Sequence, residues 1–337
     1  MRTADLWHSD GGRLRCDLCP HRCLIAPGRT GVCGVRRNDS GTLIATTYAC
    51  VSSVAIDPIE KKPVFHFHPG TNALSLGSVG CTMACGHCQN WRISRAGPGD
   101  ENVRLQVLSP EEVVTLALDG ACAGVAFTYN EPVIWAEYVR DTAAACREAG
   151  LYTVMVTNGY VTEEGLDYLG EVIDVWRVDI KGATDETYRQ LCHVRSPAPV
   201  FDAAVRAKKR WGMHTEVVTN VIPTVNDSDD ELRAIARFIA GSLGTMTPWH
   251  VTRFMPYLDY AHLDPTPLAT LERAAGIGAE EGLAFVYLGN VSKPGAEDTI
   301  CPSCGARAVV RDGYTIIKQA TSEGSCVACG VDLGIVE

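Results

Sequence analysis

Short apolar runs alternate with longer helical patterns through the middle of the chain. The runs predict six strands, at residues 73–79, 125–128, 152–157, 175–179, 215–221 and 250–253. Strands that alternate with helices are typical of a parallel sheet whose connections are right-handed crossovers. Because a closed barrel of this kind has eight units, the pattern predicts an α/β fold with a partial, open (β/α)6 barrel.

Capping signals mark where several helices begin and end. Ser109, Pro110 and Glu112 combine a capping serine, a proline at the first helical position and a glutamate three residues after the serine. This combination predicts a helix start at residue 110. Gly150 and Gly282 are each expected to end a long helix, because glycine adopts the backbone conformation that closes a helix.

The composition suits one barrel-sized domain with small additions. The chain has 337 residues, 46% of them apolar, which is enough for a large core. Lysine and arginine total 30 against 40 acidic residues, and this acidic balance argues against nucleic acid or an anionic membrane as a partner. Neither a signal peptide nor a membrane-spanning run is apparent, so we expect a cytoplasmic protein.

Fifteen cysteines in a chain expected in the cytoplasm predict metal ligands rather than disulfides. Eleven of them form three clusters: Cys16, Cys19, Cys23 and Cys33; Cys81, Cys85 and Cys88; and Cys301, Cys304, Cys326 and Cys329. The other four, Cys50, Cys122, Cys146 and Cys192, are expected to be small buried apolar residues.

The middle cluster follows the first predicted strand with the spacing C-x3-C-x2-C. Cysteine thiolates are the usual ligands of iron-sulfur clusters. Three cysteines leave one iron of a 4Fe-4S cubane open, and an open position is typical of a metal site with an exchangeable ligand. A zinc site that includes His87 is the alternative, but His87 adjoins Cys88, and adjacent side chains rarely reach one tetrahedral metal.

This spacing resembles that of the radical S-adenosylmethionine (SAM) superfamily. The resemblance implies that SAM chelates the open iron of a 4Fe-4S cluster through its amino and carboxylate groups. One electron from the reduced cluster then cleaves SAM, and the resulting 5'-deoxyadenosyl radical takes a hydrogen atom from a substrate. In such chemistry the protein binds, orients and shields the cofactor.

The two terminal clusters also predict metal sites. The amino-terminal cysteines lie in a segment rich in glycine, proline and arginine. Such a segment needs a bound metal for stability, either zinc or a second iron-sulfur cluster. The carboxyl-terminal cysteines form two C-x2-C knuckles separated by 21 residues, which predicts structural zinc with a hairpin between the knuckles. A rubredoxin-like iron site is the alternative there.

In such barrels functional residues gather at the carboxyl ends of the strands. The polar residues predicted there are Asn130, Glu131, Thr157, Asn158, Asp179, Lys181, Arg253 and Tyr257. Glu131 offers a carboxylate to an amino group, and Thr157 and Asn158 suit ribose hydroxyls. Arg253 and Tyr257 are candidates for substrate contact, as is His66 in a proline-flanked loop. Helix-start, turn, ion-pair and solvated-loop roles are the structural alternatives for these residues.

Motifs along nearly the whole chain resemble the radical SAM enzymes of the AmmeMemoRadiSam group, relatives of pyruvate formate-lyase activating enzymes. They occupy residues 18–23, 58–63, 80–91, 129–132, 157–159 and 287–291 and the terminal knuckles. The resemblance implies that Glu131 contacts the SAM amino group and that Asp179 and Lys181 form a SAM-contacting Asp-x-Lys. Tyr129-Asn130 stands in place of paired glycines, and His87 replaces an aromatic residue near the adenine.

We therefore expect a radical SAM enzyme that acts on a peptide, protein or metabolite. It would need an electron donor such as a flavodoxin or ferredoxin, and the group's name suggests a pathway link to Memo and AMMECR proteins. A glycyl radical activase is the alternative enzyme, and an iron-sulfur carrier or zinc-ribbon binding protein the non-catalytic one. The expected domains are residues 1–70 with the first cysteine cluster, 71–292 with the barrel and 293–337 with the zinc ribbon.

Overall fold

Parallel strands and helices alternate along most of the chain in the computed structural model, which describes all 337 residues. The chain divides into two units by its internal contacts. The first comprises Met1–Asp57, Asn72–Trp176 and Ala198–Met213, and the second Pro58–Thr71, Arg177–Pro197 and His214–Glu337. The three domains expected from the sequence are a different division and stay a prediction. None of the helices has the length and apolar content needed to cross a bilayer.

Parallel strands form the centre of the first unit. Gly124–Phe127 lies between Asn72–Gly77 and Tyr152–Thr157 and is parallel to both, and Ser53–Pro58 follows at the edge next to Asn72–Gly77. The helices of this unit are Trp91–Ser94, Pro110–Asp119, Ala136–Glu148, Glu163–Gly170 and Ala198–Trp211, with a 3-10 turn at Pro132–Trp135. The loops that leave the three central strands therefore begin at one edge of this sheet.

The amino-terminal part of the first unit consists of short antiparallel strands. They are Arg2–Thr3, Trp7–Asp10, Arg13–Cys16, Leu24–Ile25, Arg36–Asp39, Thr42–Ala45 and Cys50–Val51, the last paired with Gln106–Val107. Val35 from this part packs with Val79, Ala96 and Ile134 in one buried apolar cluster. The cysteine-rich segment is thus held against the strand-end loops by an apolar contact.

The second unit has its own parallel strands. His214–Val221, Trp249–Arg253 and Val286–Gly289 pair in that order, and Val175–Asp179, whose last three residues belong to this unit, lies beside His214–Val221. Its helices are Asp185–Cys192, Asp229–Phe238 and Leu268–Glu280, with 3-10 turns at Ile59–Lys61 and Leu258–Tyr260 and a π turn at Ile239–Leu243. The carboxyl-terminal strands are Thr299–Ile300, Arg307–Asp312, Thr315–Gln319, Thr321–Ser322 and Ser325–Cys326.

The elements expected from the sequence are confirmed to within two residues at each strand boundary. The capping box at Ser109 is present, and Gly150 and Gly282 follow helices with positive φ, as expected for helix ends. The hairpin between the knuckles is present as Arg307–Asp312 and Thr315–Gln319. Ser53–Pro58 and Val286–Gly289 are among the strands that the six predicted runs leave out. The partial barrel stays a prediction.

A buried carboxylate organises the interior of the second unit. Glu216, at the start of its strand, is fully buried and accepts hydrogen bonds from the Nε2 atoms of His214 (2.9 Å) and His250 (2.6 Å). It also accepts from the backbone amides of Phe65 and His66 at 2.7–3.0 Å. Although burial opposes ionisation, the two histidines hold the pKa of Glu216 well below its usual range.

We expect Glu216→Gln to lower the free energy of unfolding by about 3 kcal/mol, because an amide NH2 would replace an oxygen that faces hydrogen-bond donors. The pKa of Glu216 is depressed in the folded state, so its stabilisation is present above its unfolded pKa of about 4.3 and is lost progressively as pH falls below that value toward the folded pKa. Urea unfolding at pH 7 and at a series of values below about pH 4 measures both effects.

Glu280→Gln is the matched control, because Glu280 is an exposed partner of Arg233 and such surface pairs contribute less than about 1 kcal/mol. Equal stability of the Glu216→Gln and Glu280→Gln proteins would contradict the organising role of Glu216.

Candidate functional site

The three-cysteine loop leaves the first parallel strand of the first unit through a glycine. Gly80 has a φ of +87°, and a Cβ there would lie 2.5 Å from the backbone oxygen of Cys33. Both observations explain glycine at this position, since a side chain would be strained and would collide with the amino-terminal segment. The loop therefore turns directly against the segment that carries the first cysteine cluster.

Two asparagine side chains hold the two ends of this loop. Asn130 accepts a hydrogen bond from the Ser78 amide (2.9 Å) and donates one to the Gly80 carbonyl (3.0 Å), just before Cys81. Beyond the last cysteine of the loop, Asn90 donates to the carbonyl of Tyr129 at 2.7 Å. The sequence analysis included Asn130 but missed Asn90, because nothing in its local pattern shows that it contacts a distant loop.

Tyr129 adopts a backbone conformation that is usual for glycine. Its φ is +74°, in the left-handed region, and its hydroxyl donates to Asp57 Oδ2 at 2.9 Å. Burial and the neighbouring Asp57 raise the pKa of Tyr129 to about 12, so the phenol stays protonated and remains a donor. Gly77 leaves room for the ring, since a Cβ there would lie 2.9 Å from Tyr129. Tyr129 and Asp57 together thus explain how the turn forms without paired glycines.

The carboxylate of Glu131 is buried and oriented by hydrogen bonds from the next strand end. Oε1 accepts from the Thr157 hydroxyl (2.6 Å) and from the Val133 amide (3.0 Å), while Oε2 accepts from the Asn158 amide (2.8 Å). Only 2% of Glu131 is exposed. Thr157 and Asn158 thus position the carboxylate, a role that the sequence analysis did not assign to them.

The side chain of Asn158 also contacts Cys81, the first cysteine of the loop. Asn158 Nδ2 lies 3.6 Å from Cys81 Sγ and 3.0 Å from Thr82 Oγ1. Burial raises the pKa of Cys81 well above its usual value, and the charges of Glu131, Cys85 and Cys88 raise it further. When a metal deprotonates these thiols, they and the buried carboxylate form an anionic donor set that favours positive charge. This chemistry fits a cationic metal cluster and an ammonium group.

The remaining members of the loop are partly or fully covered. His87 is buried, the sulfur of Cys88 lies 3.3 Å from the Ser94 hydroxyl, and the carbonyl of Cys85 accepts from Arg95. The structure therefore brings together Cys81, Cys85, Cys88, Asn130, Glu131, Thr157 and Asn158 within the first unit. The site is more extensive than the cysteine spacing alone indicates.

In the second unit Asp179 ends the strand Val175–Asp179. It pairs with Arg177 and with Lys181, whose Nζ lies 3.1 Å from Asp179 Oδ2. Burial works against ionisation, but the two cations lower the pKa of Asp179 below its usual value, so the carboxylate is charged at neutral pH. Asn226 supports this segment by donating to the carbonyl of Lys181 at 2.9 Å.

The three substrate candidates lie in different surroundings. Arg253 ends its strand and donates through Nε to the carbonyl of Thr266, and Tyr257 is 41% exposed. His66 is fully buried, with Nδ1 3.0 Å from the Leu333 carbonyl and Nε2 2.6 Å from the Tyr287 hydroxyl. Both ring nitrogens of His66 are thus engaged within the protein, and its contact with a substrate stays a prediction.

The two terminal cysteine clusters differ in how closely their sulfurs approach. The ligand atoms of Cys301, Cys304, Cys326 and Cys329 all lie within 4.8 Å of one another. The sulfurs of the four amino-terminal cysteines surround a small opening and do not form such a compact group. The compact set suits a single ion, whose bonds to four thiolates are about 2.3 Å long.

Comparisons with known sequences agree with this geometry. The profile of the radical SAM superfamily matches residues 76–239. The uncharacterized protein MJ0808 of Methanocaldococcus jannaschii is 40% identical over 339 residues, which cover 100% of both chains. The pyruvate formate-lyase 1-activating enzyme of Escherichia coli K12 is 31% identical over 163 residues, which cover 47% of this chain and 65% of that enzyme. The match thus spans just under two thirds of the activating enzyme.

Comparisons with solved structures show a shared α/β fold. A radical SAM methyltransferase from Sphaerobacter thermophilus is 17% identical, with a TM-score of 0.51 over 66% of this chain and 67% of that one. SuiB from Streptococcus suis is 16% identical, with a TM-score of 0.50 over 69% of this chain and 52% of that one. At these identities the comparison concerns the fold and not the substrate.

We expect Asn130→Ala to release iron faster from the reconstituted loop. Its side chain makes two hydrogen bonds that hold the segment before Cys81. Loss of roughly 1 kcal/mol per bond corresponds to a release rate higher by about fivefold or more. The measurement is the anaerobic transfer of iron to a chelator. Asn102→Ala, at an exposed turn, is the control, and equal rates in the two variants would refute the role of Asn130.

Proposed function

Because this chain belongs to the radical SAM superfamily, we propose that Cys81, Cys85 and Cys88 hold its 4Fe-4S cluster and that the enzyme abstracts a hydrogen atom from a peptide, protein or metabolite. When bound and reduced, the cluster supplies the electron that splits SAM into methionine and a 5'-deoxyadenosyl radical. The protein's own residues bind, orient and shield the reacting groups. The cytoplasmic location expected from the sequence is part of this proposal.

The orientation of the Glu131 carboxylate is the observation that carries the proposal. Thr157 and Asn158 fix both of its oxygens, and Asn158 also reaches the sulfur of Cys81. A carboxylate in this position would accept hydrogen bonds from the ammonium group of SAM and hold it next to the loop. Such preorganised contacts are favourable because they are buried from water.

The other predicted contacts fall on residues of the second unit. Asp179 and Lys181 are assigned to SAM from the resemblance of their motif, and Arg253 and Tyr257 to the substrate from their positions after a parallel strand. The low pKa of Asp179 supports an ionised carboxylate that can accept hydrogen bonds. These four assignments stay predictions.

A glycyl radical activase is the second candidate. The observation that favours it is the 31% identity to the Escherichia coli activating enzyme over 163 residues. Tyr129-Asn130 occupies the position of the paired glycines of that group, so the turn before Glu131 is built differently. For this reason we place the activase second.

The motifs that resemble the AmmeMemoRadiSam group support a finer proposal. We assign the chain to that group and propose a shared pathway with Memo and AMMECR proteins. Reduction requires an external one-electron donor, for which a flavodoxin or ferredoxin is suitable. The substrate class remains that of the main proposal.

Anaerobic reconstitution with iron and sulfide, followed by reduction with dithionite, tests the main proposal. We expect SAM to change the paramagnetic resonance of the cluster and the protein to form 5'-deoxyadenosine. Cys85→Ala should abolish both observations, because it removes one of three thiolate ligands. The same assay with a candidate partner protein added would detect an activase through a new protein radical.

Cys146→Ala is the matched control, since Cys146 is a buried cysteine in the helix Ala136–Glu148 and belongs to none of the three clusters. Absence of SAM cleavage in the wild-type protein under several reductants would refute the proposal.

We further propose that the four carboxyl-terminal cysteines bind zinc, as supported by the close approach of their sulfurs. Cys329→Ala is expected to lose about one zinc per chain while iron content stays unchanged. Elemental analysis of the purified protein measures both metals. Cys192→Ala is the control. Loss of iron in place of zinc would identify a rubredoxin-like site.

A further inference from the structure

The amino-terminal cysteines surround a small, partly open cavity of about 10 Å³. It is lined by Cys16, Cys19, Cys23 and Cys33 together with Arg36 and Ile134, among others. Burial raises the pKa of Cys16 to about 11 and also raises that of Cys33, and the charge of Arg36 opposes both changes. Four thiols and one guanidinium thus share a single partly enclosed space.

Arg36 has polar atoms without a protein partner in this place. It is 1% exposed, and its Nη2 atom donates to both oxygens of Glu137 at 2.9 and 2.6 Å. Its Nε and Nη1 atoms are buried and have no hydrogen-bond partner. Buried donors of this kind are rare in native proteins. Because Arg36 also lines the opening, an anionic ligand held by the cysteines would offer acceptors to these nitrogens.

The spacing of the amino-terminal sulfurs favours an iron-sulfur cluster over a single zinc ion. Zinc draws four sulfurs to about 2.3 Å from one centre, as the compact carboxyl-terminal set would allow. The amino-terminal sulfurs do not form such a compact group, and neither do those of Cys81, Cys85 and Cys88. A cubane binds its thiolates on separate irons and so holds them farther apart than a single ion does, and its inorganic sulfides accept hydrogen bonds that tune its reduction potential. Such sulfides would satisfy Arg36.

The opening is directly connected to the three-cysteine loop. His21, which lies between Cys19 and Cys23 in the sequence, has its Nε2 atom 2.6 Å from the carbonyl of Thr82, the residue after Cys81. The backbone of Cys33 contacts Gly80 at the start of the same loop. The hydrogen bond between His21 and Thr82 therefore links the amino-terminal cysteines to the three-cysteine loop.

The side of the opening near Cys23 faces solvent. Val32 is 66% exposed, and its amide lies 3.4 Å from the Cys23 sulfur. A redox protein that docked there would approach the amino-terminal site at the ligand Cys23.

We propose that Cys16, Cys19, Cys23 and Cys33 bind a second 4Fe-4S cluster that relays electrons to the SAM-binding cluster. This inference rests on the proposed function, because it names the route by which that site is reduced. A one-electron donor of the ferredoxin or flavodoxin class is oxidised as it reduces the amino-terminal cluster. That cluster returns to its oxidised state when it passes the electron to the cluster at Cys81, Cys85 and Cys88.

The test uses the full-length Cys85→Ala protein, which lacks a ligand of the SAM-binding cluster but retains all four amino-terminal cysteines. After anaerobic reconstitution we expect about four iron atoms per chain in this variant and about eight in the wild type. On reduction the variant should give a paramagnetic signal that SAM does not change. An iron-free variant with a second zinc, or with no metal at this site, would overturn the proposal.

Two further measurements keep the inference separate from the proposed function. Cys19→Ser should retain about four iron atoms and a signal that SAM does change. If the relay is correct, the fully reduced wild type should show a broadened spectrum, because two nearby paramagnetic clusters interact. A wild-type spectrum equal to the sum of the two variant spectra would refute the relay.

A variant at Arg36 tests its contact with the cluster. Arg36→Met combined with Glu137→Leu removes both members of the buried pair and so avoids an uncompensated charge. In the Cys85→Ala background this double variant should make the remaining cluster harder to reduce, because the hydrogen bonds from Arg36 to the cluster sulfides are lost while the net local charge stays the same. An unchanged reduction potential would refute the contact. Failure of the wild type to cleave SAM, with both clusters present, would refute the proposed function alone.

Discussion

The buried carboxylate of Glu131 is the constraint on which the arrangement of the first unit depends. A carboxylate placed away from water and close to three thiols is unfavourable unless hydrogen bonds and positive charge compensate it. Thr157 and Asn158 provide hydrogen bonds from the end of the neighbouring strand. The parallel pairing of Gly124–Phe127 with Tyr152–Thr157 brings them there, since it places both strand ends at one edge. The chemistry of the site therefore follows from the register of the sheet.

The amino-terminal segment packs directly against the three-cysteine loop. Its backbone leaves no room for a side chain at Gly80, and His21 bonds the loop beside Cys81. Farther along, the Thr162 hydroxyl bonds the carbonyls of Asp17 and Leu18, which fixes the segment to the start of the helix Glu163–Gly170. Metal binding by the first cysteine cluster would thus stabilise the same backbone that positions the second.

In the second unit the buried network of Glu216 and the predicted contacts of Asp179 and Arg253 lie at opposite ends of the strands. Glu216, near the start of its strand, draws the amides of Phe65 and His66 and two histidines into one buried network. Asp179 and Arg253 lie at the carboxyl ends, where loops can vary without disturbing that network. The carboxyl-terminal strands share this interior, since Cys301, Cys326 and Leu333 pack with Phe65. Zinc binding there would therefore stabilise the end of the unit remote from Asp179.

The sequence alone determined the strand and helix order, the capping box at Ser109, the superfamily and the cysteine sets, because periodicity, capping and ligand spacing are local properties of the chain. It did not reveal Asn90, Asp57 or His21 as supports of the loop, nor Thr157 and Asn158 as partners of Glu131. At the first cysteines it left both zinc and a cluster open, with zinc favoured. The supports of the loop and the partners of Glu131 depend on contacts between residues as many as 72 positions apart, as for Asp57 and Tyr129. Only the tertiary structure decided them, because which distant side chains meet depends on strand register and packing rather than on any local pattern.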